Sequence, residues 1–262
     1  MPVRQAGPSI QRIVRSKAGK RFVIYGVPGV GKTSLVAGAD NALIISVGNE
    51  TGYQTLVDSG LAAERDYAHI ESWADFDALL RALIDSDHVY QCVAIDALTG
   101  LGLMSEDHAE AMKSPGENFW HKLDSMWIDA LGHLDAIRER GTHVVFLAHA
   151  GLELFKNPLG DDYHGYQVAC MRRAWPMVEK WADAILFYTF QIEVKNEGAS
   201  SSKARKGIGG KTRVLRCSNH AAWTAKQRLG LADELIVPSE PSGVWDWLMA
   251  HISAGAGKDL VG

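Results

Sequence analysis

The stretch "RFVIYGVPGVGKTSLVAGA" spans residues 21–39. Phe22, Val23, Ile24 and Tyr25 read as a short buried strand, and the residues from Ser34 onward read as a helix. Between them Gly26, Gly31, Lys32 and Thr33 fill every fixed position of G-x-x-x-x-G-K-[ST], in the strand-to-helix setting this motif requires. Glycines let backbone N–H groups curl around phosphates, and the helix N-terminus adds partial positive charge. The expected contacts to a nucleoside triphosphate are Gly26, Val27, Pro28, Gly29, Val30, Gly31, Lys32, Thr33 and Ser34. Lys32 is the group expected on the β/γ-phosphates and Thr33 a ligand of Mg²⁺, with ATP as the nucleotide. The C-terminal "AGAGKDL" (254–260) has a Gly-Lys pair but lacks the first glycine, the hydroxyl and the strand, so it is set aside.

Working outward, "NALIIS" (41–46), "YQCVAID" (90–96) and "THVVFLAH" (142–149) read as further buried strands. "SWADFDALLRALIDS" (72–86) and the segment carrying Phe119, Leu123, Trp127, Ala130, Leu131 and Leu134 read as amphipathic helices. Ser72 with Asp75 forms a capping box, and Gly141 closes the second helix. Strands alternating with helices predict an α/β fold with a mostly parallel central sheet and helices on both faces. The polar segments 104–118 and 151–167 read as loops. "AILFYTFQIEV" (184–194) and "TRVLRC" (212–217) read as a C-terminal β-hairpin around a Gly/Ser/Lys-rich loop. The expected organisation is a flexible arm over 1–19, one domain over 20–252 and a flexible tail over 253–262.

Composition limits the partners. The 262 residues carry a net charge of −4, so any polyanion surface must be local. No apolar run approaches the ~18–20 residues of a membrane span, so no membrane partner is expected. Cys92, Cys170 and Cys217 are scattered and form no CxxC pair, which suits a reducing cytoplasm.

Asp96 ends the third apolar strand, where an acid would hold Mg²⁺. Ala97 follows it, so no Asp-Glu pair is present to polarise water. Glu50, in "SVGNETG" just past the second strand, is the candidate base, expected beside the first strand. His149 ends the fourth apolar strand and is the candidate γ-phosphate sensor.

This order of motifs resembles the RecA-like P-loop NTPases. "AKQRLG" (225–230) resembles the Lys-x-Arg fingers of DnaB-type hexameric helicases and RadA. That resemblance implies that Lys226 and Arg228 reach a neighbouring subunit's ATP site in a homo-oligomer, ring or filament. The segments "HAGLELFKNPLGDDYHGYQ", "WADAILF" and "AWTAKQRLGL" are similar to phage-encoded Sak-type recombination ATPases, across about residues 20–237. Members often carry an acid late in the second strand, where this chain has Ser46. The resemblance implies ATP hydrolysis coupled to single-stranded DNA in recombination or annealing, alongside single-strand binding protein, in a bacterial host cytoplasm. The fold and catalytic residues it implies are therefore a RecA-like ATPase using Lys32, Glu50, Asp96, His149, Lys226 and Arg228.

The segment after the third apolar strand is more acidic than basic and is a poor phosphate binder. The second, past His149, offers Phe155, Lys156, Tyr163, Tyr166, Arg172 and Arg173, either for DNA or for packing the loop on the core. The hairpin offers Lys195, Lys203, Arg205, Lys206, Lys211, Arg213 and Arg216, either for phosphate contact or as a solvated loop. Two other functions fit the same chain. One is a nucleotide-gated switch that loads a helicase or single-strand binding protein and hydrolyses slowly. The other is a small-molecule kinase, against which the long hairpin argues.

Overall fold

A computed structural model of the chain describes residues 12, 16–158, 160–195, 206–240 and 243–258. The first half runs β1 (Arg21–Gly26), α1 (Lys32–Ala37), β2 (Ala42–Val47), α2 (Gly52–Asp58), β3 (Asp66–Ile70), α3 (Trp73–Asp85), β4 (Cys92–Asp96), α4 (Leu98–Met112) and α5 (Phe119–Glu139). The second half runs β5 (His143–Phe155), β6 (Tyr163–Val168), α6 (Trp175–Trp181), β7 (Ala184–Lys195), β8 (Lys206–Arg216), β9 (Lys226–Gln227), β10 (Glu234–Val237) and α7 (Val244–Lys258).

Along the main path the sheet order is β10-β8-β7-β1-β5-β4-β2-β3, with β6 on β5 and β9 on β7. The stretch from β7 to β3 is parallel, and the β8 and β10 edge is antiparallel. The central strands are buried on both faces, so they read as unbroken apolar runs. On β1, Phe22 and Ile24 face a layer containing α1 and α7, while Val23 and Tyr25 face α3–α6. Helices therefore cover both faces, as the alternation predicts.

α3 begins at the expected cap: Ser72 Oγ accepts from the Asp75 N–H at 3.2 Å. Trp73, Phe76, Leu80 and Leu83 are its buried face. Gly141, at φ 99°, follows α5 in the left-handed region that glycine tolerates. β7 and β8 form the expected antiparallel hairpin, and its loop lies outside the described residues.

Several expectations are corrected. The segment 104–118 is not a loop up to Met112, because it continues α4. The buried positions of α4 are Leu98, Leu101, Gly102, Ser105 and Ala109, at helical spacing but built of small and polar residues that hide the periodicity. Ser105 is buried because its Oγ accepts from Trp127 Nε1 and donates to the Gly102 carbonyl.

The segment 151–167 is likewise not one continuous loop, and only the connection between Phe155 and Tyr163 lies outside strands. β5 continues past His149 to Phe155 and returns as β6, with Phe155 stacked on Tyr163. His149 therefore lies within its strand rather than at the end. Finally, Glu50 does not lie beside the first strand, because β5 and β4 stand between β1 and β2. α7 also runs past Ile252 to Lys258.

Candidate functional site

The phosphate loop leaves β1 between two neighbours. A Cβ on Gly26 would lie 2.0 Å from the Tyr188 carbonyl oxygen of β7, so only glycine fits there. Gly29 and Gly31 take φ of 75° and 97°, the left-handed region in which L side chains are strained. Val30 is fully buried and anchors the loop from beneath.

Lys32 is buried, and its Nζ donates to the carbonyls of Gly26 and Val27 at 3.0 and 3.3 Å. Burial holds its ammonium below the ordinary lysine value, against the opposing pull of Asp96 and Glu50. Thr33 Oγ1 donates to Asp96 Oδ2 at 2.7 Å. Burial pushes the Asp96 carboxyl up, the Thr33 bond opposes this, and the Glu50 charge adds to it. Two hard oxygens side by side at a phosphate loop fit Mg²⁺, which uses few protein ligands and keeps the rest for water and phosphate.

Glu50 arrives from across two intervening strands, β5 and β4. β2 ends at Val47, Gly48 turns at φ 63°, and the Ser46 hydroxyl donates to the Glu50 carbonyl. Ser46, where the resembled family often has an acid, thus pins the turn that presents Glu50. A Cβ on Gly52 would lie 3.4 Å from Thr33 Oγ1, so the start of α2 rests against the phosphate loop. Pairing of β1 with β5 sets Gly26 opposite His149. His149 Nε2 lies 3.1 Å from Glu50 Oε1. A carboxylate only accepts, so Nε2 carries the proton of this bond.

Lys32, Thr33, Asp96, Glu50 and His149 therefore converge. Lys226 and Arg228 do not join them. β9 pairs with β7 at Ala184, which is level with Phe22 at the far end of β1. That is about 13 Å along the strand from Gly26. Lys226 Nζ donates to the Glu179 carbonyl, while Arg228 is exposed.

The expected DNA residues are divided. Lys156 pairs with Asp162 at 2.6 Å, and Arg173 makes a two-point pair with Asp124 while lying over Trp120. Arg172 is exposed and borders a cavity of about 570 Å³ with Trp120, Ile128 and Met177, away from the phosphate loop. Lys203 and Arg205 lie outside the described residues, and Lys206 opens β8.

One residue was misassigned by sequence. Arg213, grouped with the basic hairpin, reaches the phosphate loop: its Cζ lies 3.8 Å from where a Cβ on Gly31 would be. Nothing local in "KTRVLRC" marks it, since Arg216 in the same run instead pairs with Glu234 and stacks on Trp223.

A glycine loop between a parallel strand and a helix, with a lysine folded into it and a hydroxyl–carboxylate pair beside it, defines a P-loop nucleoside triphosphatase. A profile of the AAA domain family matches residues 18–229, and the chain belongs to that family of nucleotide-binding proteins. No curated protein matches the chain. Among the described residues no helix is long and apolar enough to cross a membrane.

Proposed function

We propose that this chain is an ATPase in which Glu50 is the base and His149 the group that senses the γ-phosphate. The observation that carries this is the Glu50–His149 hydrogen bond beside Lys32, Thr33 and Asp96. Glu50 takes a proton from the attacking water, and Lys32 offsets charge on the phosphates. Thr33 and Asp96 would hold Mg²⁺, which adds positive charge at the transferred group. His149 lies on β5, which continues without a break into the β5–β6 hairpin, about 20 Å beyond the site. A change in the His149 bond is therefore transmitted along one strand to a projecting hairpin.

We assign single-stranded DNA as the ligand of that end of the molecule. Support comes from the two hairpins, β5–β6 and β7–β8, which extend past the phosphate-loop end of the sheet, and from the basic run of the second. The role is recombination or annealing in a homo-oligomer. Arg228 of one subunit serves the ATP site of the next: it is exposed and cannot reach the phosphate loop of its own subunit. A second reading, a nucleotide-gated loader of a helicase or single-strand binding protein, is favoured by exposed Leu152 and Leu154 on the β5 extension, which suit a protein surface.

The test is ATP turnover with and without single-stranded DNA, across protein concentrations, with Arg228→Ala alongside. DNA stimulation, turnover per subunit that rises with concentration, and its loss in Arg228→Ala are expected. Slow turnover indifferent to DNA and to Arg228 overturns the DNA reading and favours the loader.

A further inference from the structure

Arg213 is the cation that the nucleotide reading leaves without a task. It lies on β8, opposite Phe190 of β7 and Val237 of β10. Strand alternation puts it on the same face as Leu215 and Cys217, which pack in the layer holding Leu35 and Val36 of α1. From there the side chain passes Tyr188, whose phenol is pushed up by burial and held back by the charge of Arg213 and by a hydrogen bond from its guanidinium. It ends over the turn where the phosphate loop becomes α1. A Cβ on Gly31 would lie 3.8 Å from Arg213 Cζ, 3.9 Å from Arg213 Nε and 3.8 Å from Ser34 Oγ.

Two features point to a missing anion. Arg213 Nε is buried without a hydrogen-bond acceptor, which is costly for a donor on a charged group. Its charge also has no carboxylate partner among the described residues, unlike Arg21, Arg81, Arg138, Arg173 and Arg216. A guanidinium is a planar fork suited to two-point pairing with phosphate.

We propose that Arg213 is a nucleotide ligand supplied by the same subunit, pairing with the α/β-phosphates held at Gly31–Ser34. This rests on the nucleotide-binding reading of the loop and adds a residue to it. Because Arg213 lies on β8, the nucleotide then bridges the phosphate loop to the β7–β8 hairpin. A nucleotide diphosphate suffices for the contact, so it persists after hydrolysis.

The experiment measures ADP and ATP dissociation constants for wild type, Arg213→Gln, Arg213→Lys and Lys211→Gln, an exposed cation on the same strand. Loss of one charge-assisted contact weakens both nucleotides about 10-fold to 100-fold. Arg213→Gln is expected to show this for ADP and ATP alike, Arg213→Lys to recover part of it, and Lys211→Gln to match wild type. A second measurement needs no variant: ADP should slow dicarbonyl modification of Arg213, read by peptide mass spectrometry, and leave Arg172 unchanged. If wild type binds no nucleotide, the underlying reading fails. If wild type binds and Arg213→Gln binds equally well, or ADP leaves the Arg213 modification rate unchanged, Arg213 is not a ligand and the inference alone is overturned.

Discussion

Glu50→Gln separates chemistry from structure at this site. The Glu50–His149 pair spans 3.1 Å, but the two side chains are 37% and 41% exposed. An ion pair that open contributes about 0–1 kcal/mol to stability. In a chain of this size that is at most about 2–4 °C in Tm. Glutamine keeps the volume and can still accept from His149, so even this loss is an upper limit. The rate should respond on another scale, because removing a general base costs about 10²-fold to 10⁴-fold. That is about 3–5 kcal/mol of barrier. Binding should move in the opposite direction: the substitution removes a negative charge whose field reaches both Lys32 and Asp96, so ATP binds at least as tightly. The assay is phosphate release at saturating ATP, with nucleotide titration and a thermal melt on the same preparation. Expected are turnover lower by at least about 100-fold, unweakened binding and an almost unchanged melt. Turnover within about threefold of wild type, on folded protein, would mean that Glu50 is not the base.

Other outcomes follow from the same geometry. Asp96→Asn should abolish turnover yet raise Tm by about 2–4 °C, since it removes a carboxylate whose charged form burial disfavours; a fall in Tm would refute that account. His143 is half-buried, its Nδ1 accepts from the Lys20 N–H at 3.0 Å, and desolvation, helped by Lys20, lowers its pKa to about 4. The folded state therefore resists protonation, and stability present above about pH 6.5 should fall by about 3 kcal/mol as pH drops toward 4. Urea midpoints across that range, with the His143 ring signal followed by NMR, check it; a ring that titrates near 6.5 would exclude the effect. Gly255→Ala improves helix propensity, yet its Cβ would lie 2.4 Å from the Gly230 carbonyl oxygen. A net loss of about 1–3 kcal/mol in chemical denaturation is expected, and a gain would show that the α7 contact yields freely.

How much of this was legible depends on the range of each interaction. The phosphate loop, the Ser72 cap and the strand ending in Asp96 were legible because each is made by residues close in sequence. α4 was hidden because it buries Gly102, Ser105 and Ala109, which carry no apolar signal. The β5–β6 hairpin was hidden because its strands, covered on fewer sides, lose the apolar run that marks a parallel core strand. Gly230, read as the end of a Lys-x-Arg motif, is the residue that lets β9's connection approach α7 at Gly255.

By itself the sequence determined that a nucleotide-binding loop joins a buried strand to a helix, and that Asp96 stands ready beside it. Motif spacing is enough for that, because the loop's geometry is set by its own glycines. Only the tertiary structure decided which other side chains meet there. Glu50 comes from across two intervening strands, His149 from the neighbouring strand, and Arg213 from beyond β7. Those meetings depend on strand order and register, which are set by packing across the whole sheet and leave no mark in any local run of residues.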